Sequence, residues 1–197
     1  MNQPENNKKS PENTGANKRM SAKQAARDIY EYLSMFVMAL CGVIFIFTLV
    51  GHIVTVDGSS MTNTLQHLDR LVVSRIGYEP TKGDIVILRT DAYGDNALVK
   101  RVIATEGDVI DIEPETWTVT VNGEKIDEPY IRFVEGQPMN IGKDMYPLEI
   151  KKGEMFVMGD NRNGSSDSRM FGTVDVRDCL GKVYFRIFPL GGLGVVE

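Results

Sequence analysis

Histidine, cysteine and tryptophan are scarce in this chain, with two, two and one among 197 residues. That scarcity excludes several chemistries. His52 and His67 stand isolated, and neither Cys41 nor Cys179 lies at metal-ligand spacing, so no zinc centre, no other metal and no cofactor are expected. Cys41 falls inside an apolar run, out of reach of a cysteine in a soluble domain, which argues against a disulfide. Positive charge is also short. The formal net charge is -5, whereas a phosphate backbone is bound by a basic surface, and nucleic acid is therefore not an expected partner. Internal repeats are missing, and beyond residue 56 so is any long helical periodicity. What is present is an apolar fraction of 42% and a charged fraction of 25%, the balance of a globular domain and not of a disordered chain.

Residues 1–20 hold Asn, Lys, Pro, Glu and Gly with almost nothing apolar. Such a composition buries too little surface to offset ordering, and a disordered tail is expected there. Ser21–Tyr32 carries alanines and charged residues without Gly or Pro and predicts helix. Leu33–Val50 then runs for 18 positions without a charge, and the run reaches Val56 if Gly51 and His52 sit near an interface. A spanning helix needs about 20 apolar residues. Phe36, Leu40, Ile44, Phe45, Ile46, Phe47 and Leu49 cover every face, which disfavours a core helix with one apolar stripe. A cleaved secretory signal is disfavoured by the long leader and by residues 51–56, Gly-His-Ile-Val-Thr-Val, which lack a small-x-small pattern. The predicted organisation is a cytoplasmic tail (1–32), one membrane anchor (33–56) and an extracytoplasmic domain (57–197). Six Lys/Arg precede the anchor and none lies between Gly51 and Asp69, which by the positive-inside rule puts the N-terminus in the cytoplasm.

Short β-branched runs bounded by Gly and Pro fill the remainder: Arg70–Ile76, Asp84–Arg89, Ala97–Ala104, Met155–Met158 and Lys182–Phe188. Trp117–Val121 and Glu124–Ile126 flank Asn122-Gly123, a pair that suits the positive φ values of a type I′ hairpin turn. Asp175–Leu180 alone hints at a helical turn. The expected fold class is mainly β: an extracytoplasmic β-sheet domain behind one N-terminal transmembrane helix, with a smaller inserted β portion over 105–153.

Directly after the anchor, Ser60 is flanked by small residues that admit close approach of a substrate. A serine hydroxyl is a poor nucleophile until a base takes its proton. The histidines fit badly: His52 is beside the anchor, and His67 lies in a polar turn where a solvated role is the ordinary one. A lysine serves instead in serine–lysine variants of the catalytic triad. Lys100 is the candidate. In the strand from Leu98 to Val102, alternation puts Leu98, Lys100 and Val102 on one face, and apolar neighbours lower an amine pKa by desolvation. Bringing it from ~10.4 to about 7 costs the charged form roughly 4.6 kcal/mol, within what burial supplies. On periodicity alone, a lysine that snorkels or pairs with an acid at the strand surface is preferred. Arg101 points to the opposite face, toward an ion pair. The polar stretch Gly159–Arg169 reads either as a plain surface turn or as a loop whose hydroxyls and charges orient a neighbouring base.

Together these stretches resemble the bacterial type I signal peptidases, membrane-anchored serine–lysine proteases. Residues 60–65, Ser-Met-Thr-Asn-Thr-Leu, are similar to the family's nucleophile motif Ser-Met-x-Pro-Thr-Leu. Lys100-Arg101-Val102-Ile103 with Gly107-Asp108 is similar to its base motif. Gly159–Arg169 matches Gly-Asp-Asn-Arg-x-x-Ser-x-Asp-Ser-Arg at every defined position, and Gly83-Asp84-Ile85-Val86 also fits. The resemblance runs from the anchor to about Pro189, and the single anchor resembles the shorter Gram-positive type. It implies Ser60 as nucleophile and Lys100 as general base, with Ser165 hydrogen-bonded to the lysine. It also implies Asp167, Arg169 and Arg101 as ion-pairing supports and Asp160 and Arg162 as shapers of the loop. The Ser60 N–H would hold the oxyanion, with Gly58, Ser59 and Met61 at the substrate approach. A second, side-chain donor occurs in some members two positions before the nucleophile; here that position is Gly58, so the donor is missing or comes from elsewhere, for which Ser59 is the candidate.

Asn63 departs from the pattern's Pro. Asparagine still makes turns through its side chain, so the fold is expected to survive with altered activity or specificity. The implied partners are signal peptides of secreted preproteins, cut after small-x-small segments, and the lipid bilayer. A self-cleaving repressor of related chemistry would need a DNA-binding domain and no anchor, which residues 1–56 oppose. Two rivals stay open: a peptidase dedicated to one exported substrate such as a pilin, and a catalytically weak anchored scaffold, for which Asn63 leaves room.

Overall fold

In the computed structural model the chain divides into two compact units, Met1–Leu49 and Val50–Glu197. The structure describes residues 14–89, 96–142 and 146–196; at 14–21 and 46–50 it describes the backbone. The described residues of the first unit belong to one helix, α1 (Thr14–Val50). It begins earlier than the composition predicts. Ala16, Lys18, Arg19 and Met20 follow Gly15, all good helix formers, and residues 14–20 are helical where a disordered tail was expected. The rest of the expected tail, 1–13, lies outside the described residues. Within α1, Ala22–Phe45 is long and apolar enough to cross a membrane, with mean hydropathy 1.5, and none of it is buried.

The helix also ends before the expected boundary. Residues 33–56 are not one continuous helix: past Gly51 the chain becomes strand β1 (His52–Thr55). Ile53, Val54 and Thr55 are β-branched and find an antiparallel partner in β2 (Arg70–Ser74), with register from His52↔Val73 to Thr55↔Arg70.

The second unit continues with β3 (Ile85–Leu88), β4 (Leu98–Thr105), β5 (Val109–Glu113), β6 (Thr118–Val121), β7 (Glu124–Lys125), β8 (Leu148–Glu149) and β9 (Glu154–Met158). A short helix α2 (Ser168–Phe171) precedes β10 (Val174–Asp175), β11 (Cys179–Phe188) and β12 (Gly194–Val195). The fold class is mainly β. One eight-stranded sheet has the order β1-β2-β11-β3-β4-β9-β10, with β12 on β11, and a four-stranded sheet has the order β7-β6-β5-β8. The smaller sheet falls within residues 105–153. Its hairpin turns at Asn122 (φ 55°) and Gly123 (φ 81°), both positive as a type I′ turn requires. At the expected helical turn, Val176–Asp178 forms one turn of 3-10 helix.

β3 is apolar at every position because both of its faces are covered. Ile85 and Ile87 join Val56, Met61, Leu65, Leu71 and Val183 in one core, while Val86 and Leu88 join Val102, Met155 and Val157 in another. A third core, with Ile103, Ile110, Val119 and Phe156, packs the smaller sheet against the larger. A register shift against β9 between Val102 and Ala104 lets β4 feed two of these cores.

Candidate active site

Buried residues on both sides hold Ser60 in place. Ahead of it, the Val56 N–H donates to the Asp69 carbonyl at 2.9 Å. Behind it, Met61 and Leu65 are 1% and 0% exposed in the same core, each side chain worth ~1.5–3 kcal/mol of burial. The Thr64 and Leu65 N–H groups close a turn on the Met61 carbonyl at 3.0 and 2.8 Å. Gly58 enters this turn at φ 101°, a conformation that favours glycine, so a side-chain donor there would be strained.

Lys100 lies mid-β4, opposite Val86 of β3, and is 2% exposed. Its Nζ donates to Ser60 Oγ at 2.8 Å. Burial pushes the amine down to about 8; the Asp167 charge opposes the fall, Arg169 adds to it and Asp160 opposes it. The facing carboxylates account for a fall smaller than a full descent to about 7.

The polar loop after β9 forms a buried frame around the pair. Asp160 accepts the Arg101 guanidinium on both oxygens, at 3.0 and 2.9 Å, and Thr64 Oγ1 donates to Asp160 Oδ2 at 2.5 Å. Asp167 accepts Arg169 Nε and Nη2 at 2.8 and 2.7 Å and the Gly159 N–H at 2.9 Å. Burial raises the Asp167 carboxyl, but the Arg169 bonds and charge and the Gly159 N–H outweigh it and hold the group below the usual carboxylate range. Buried Arg162 pairs with Glu128 and donates Nε to the Gly159 carbonyl at 3.2 Å. Asn161 ties the loop to the nucleophile, its N–H donating to the Ser60 carbonyl at 2.9 Å and its Nδ2 to the Ser59 carbonyl at 3.1 Å.

Two implied placements differ. Ser165 Oγ is buried and is not hydrogen-bonded to Lys100; it packs on Gly159 instead, with the Asp167 carboxylate as its polar neighbour. Met61, implied at the substrate approach, turns its side chain into the core because that core needs an apolar filler below the turn. Gly159 itself has no room for a side chain: a Cβ would strike Ser165 and come within 2.5 Å of the Ser60 carbonyl oxygen. Gly159→Ala is therefore expected to push Ser60 off its line to Lys100 and lower kcat/KM about 10²-fold, measured by steady-state cleavage.

The pair opens onto a cleft of about 440 Å³, lined among others by Gly58, Ser59, Ala97, Leu98, Gly164 and Ser166. Among the described residues no group of three or more His, Cys, Asp or Glu could hold a metal ion.

Residues 29–188 match the family described as "Signal peptidase, peptidase S26". The chain belongs to this family of signal peptidases. The peptidase is 36% identical over 150 residues to signal peptidase IB of Staphylococcus aureus (strain Mu50 / ATCC 700699), covering 68% of this chain and 76% of that protein. It is 33% identical over 149 residues to a probable signal peptidase I-2 of Synechocystis sp. (strain ATCC 27184 / PCC 6803 / Kazusa), covering 72% of this chain and 65% of that protein. The crystal structure of a signal peptidase I from Enterococcus faecalis V583 aligns with TM-score 0.46 and 24% identity, over 53% of this chain and 97% of that one. This peptidase is thus a hydrolase of signal peptidase I type, and with the apolar N-terminal helix the family suggests a membrane-anchored enzyme.

Within the peptidase, Asn63 sits at φ 98°, where a proline ring, locked near −65°, cannot go. The turn after Ser60 is thus a different turn from one built on proline. Its Nδ2 donates to the Tyr130 and Ile131 carbonyls at 3.4 and 3.3 Å. Thr64, Glu128 and Tyr130 join the frame without a sequence signal of their own, apart from Thr64 lying inside the nucleophile motif.

Proposed function

We propose that this peptidase removes signal peptides from exported preproteins with Ser60 as nucleophile and Lys100 as general base. Its catalytic domain follows a single anchor whose N-terminus is cytoplasmic. The observation that carries this reading is the 2.8 Å approach of a buried amine to an otherwise ordinary serine hydroxyl. At that distance a neutral Lys100 takes the Ser60 proton as Oγ bonds to the scissile carbonyl carbon. The carbon–nitrogen bond then breaks, and Lys100 returns its proton to the leaving amine. A water next gives its proton to Lys100 while its oxygen attacks the ester, and Ser60 leaves with that proton. The Ser60 N–H stabilises the oxyanion in both steps. Asp160, Asp167 and their arginines hold the two reacting groups in register. Gly58, Ala97 and Gly164 line the cleft with little or no side chain, a backbone-rich wall along which a segment with small side chains before the cut fits.

The full-length protein, reconstituted in lipid vesicles with a purified preprotein, is expected to make one cut after a small-x-small segment. Only the neutral amine works as base, so kcat/KM should rise with pH and level off above about 8. An uncut precursor, or a rate flat from pH ~6 to ~9, would remove Lys100 as the base. Offering a pilin-type precursor beside a general secretory one separates dedicated from general processing.

A further inference from the structure

Between β7 and β8 the chain leaves the smaller sheet and crosses the Gly159–Arg169 loop as a strap over residues 128–134. Backbone contacts tie strap to loop. The Arg132 N–H donates to the Asp160 carbonyl and the Arg162 N–H to the Arg132 carbonyl, both at 2.8 Å. Side chains add to this. Glu128 accepts Arg162 Nη1 at 3.0 Å, and the Tyr130 hydroxyl donates to the same carboxylate at 3.1 Å. The Tyr130 ring lies over Arg101, with 3.8 Å from the guanidinium carbon to the ring centroid. The strap therefore touches both reacting segments. It meets Asn63, three residues past Ser60, through the Tyr130 and Ile131 carbonyls, and it meets Arg101, the neighbour of Lys100, through the ring.

Arg101 is consequently held between the Asp160 carboxylate and an aromatic face, each attractive to a cation, and Asp160 is in turn fixed to the nucleophile turn by Thr64. Burial, then the Glu128 charge, pushes the Tyr130 hydroxyl up, so it stays a donor to Glu128 across the working pH range. On the other side, Asn63 occupies a left-handed conformation that few side chains tolerate and that asparagine supports with its own hydrogen bonds.

We propose that Tyr130, backed by Glu128 and facing Asn63, is a positioning residue that sets the Ser60–Lys100 alignment, supplying the restraint a proline ring would supply after the nucleophile. The proposal rests on the Ser60–Lys100 reading above. It gives part of the 105–153 segment a role in turnover beyond stiffening the domain.

The test uses the full-length protein in vesicles with a preprotein substrate and four variants: Tyr130→Ala, Tyr130→Phe, Asn63→Gly and the Tyr130→Ala/Asn63→Gly double. Tyr130→Ala should lower kcat about 10–100-fold with KM within about two-fold, the pattern of lost alignment and not of lost substrate contact. Tyr130→Phe keeps the ring over Arg101 and should restore most of kcat. Asn63→Gly relaxes the backbone but removes the tether and should lower kcat, and the double variant should be no slower than Tyr130→Ala, since both act through one clamp. Wild-type kcat in Tyr130→Ala, a loss confined to KM, or additive losses in the double variant would overturn the clamp. Turnover by Ser60→Ala in the same assay would instead overturn the underlying dyad.

Discussion

Lys100→Met is expected to abolish turnover and at the same time to make the folded protein more stable. The loss of activity follows from the chemistry: without an amine at 2.8 Å, nothing among the described residues stands ready to take the Ser60 proton. Loss of one member of such a catalytic unit costs on the order of 10⁴–10⁶ in kcat. The gain in stability follows from the same burial. A group with a folded pKa of about 8 and an unfolded value of 10.5 carries a cost whenever the folded state must hold its proton. At neutral pH that cost is about 3 kcal/mol. Since the folded pKa is the lower one, the unfolded chain binds more protons between pH about 8 and 10.5, and wild-type stability should climb across that window. The advantage of Lys100→Met is therefore full below the window and fades through it. Ser60→Ala should lose the same activity with little change in Tm. Thermal melts at neutral and alkaline pH, run beside the cleavage assay, check both halves. A Lys100→Met protein that still cuts, or one that melts below wild type at neutral pH, contradicts the assigned role.

The second large effect is expected at Asp167. Both Asp167 and Arg169 are at most 1% exposed, and the carboxylate also satisfies the Gly159 N–H and caps α2. Asp167→Ala would leave a buried guanidinium without its counter-charge, which costs about 3–5 kcal/mol. That is a large share of a total stability of roughly 5–15 kcal/mol. Because the folded pKa of Asp167 is depressed, its contribution is present above the unfolded carboxylate pKa and is lost as pH falls through the folded value. Urea unfolding near neutral pH should show the full deficit, and the deficit should shrink in acid. Arg169 Nη1 has no partner even in the intact pair, so replacing both residues together, Asp167→Leu with Arg169→Leu, should recover much of the stability. It should not recover cleavage, because the Gly159 N–H, beside the Ser60 carbonyl, loses its acceptor. Recovery of both would reduce the pair to packing.

Where local pattern and final structure diverge, the cause is specific. His52–Thr55 reads as the tail of the apolar run because Ile, Val and Thr suit a membrane helix as well as a strand; pairing with β2 decides in favour of strand. α2 has four residues and β8, β10 and β12 have two each, too short for any period to register. Residues 14–20 carry helix formers whose polarity masked them, and they extend a helix already nucleated by the apolar segment. Tyr130 gives no local hint that its ring will cover Arg101, since the contact joins the inserted portion to β4.

By itself the sequence determined what depends on near neighbours: the apolar N-terminal helix, the β-branched runs that become the main strands, the Asn122-Gly123 turn and the motif stretches that hold Ser60, Lys100 and Gly159–Arg169. Alternation named the face on which Lys100 stands. Only the tertiary structure decided what covers that face, and hence that the amine is dry, titrates at about 8 and reaches a hydroxyl 40 positions away in the chain. The reason is that desolvation is a property of packed neighbours and not of a residue: the same lysine at the same strand position would keep an ordinary amine pKa if the rest of the fold did not bury it.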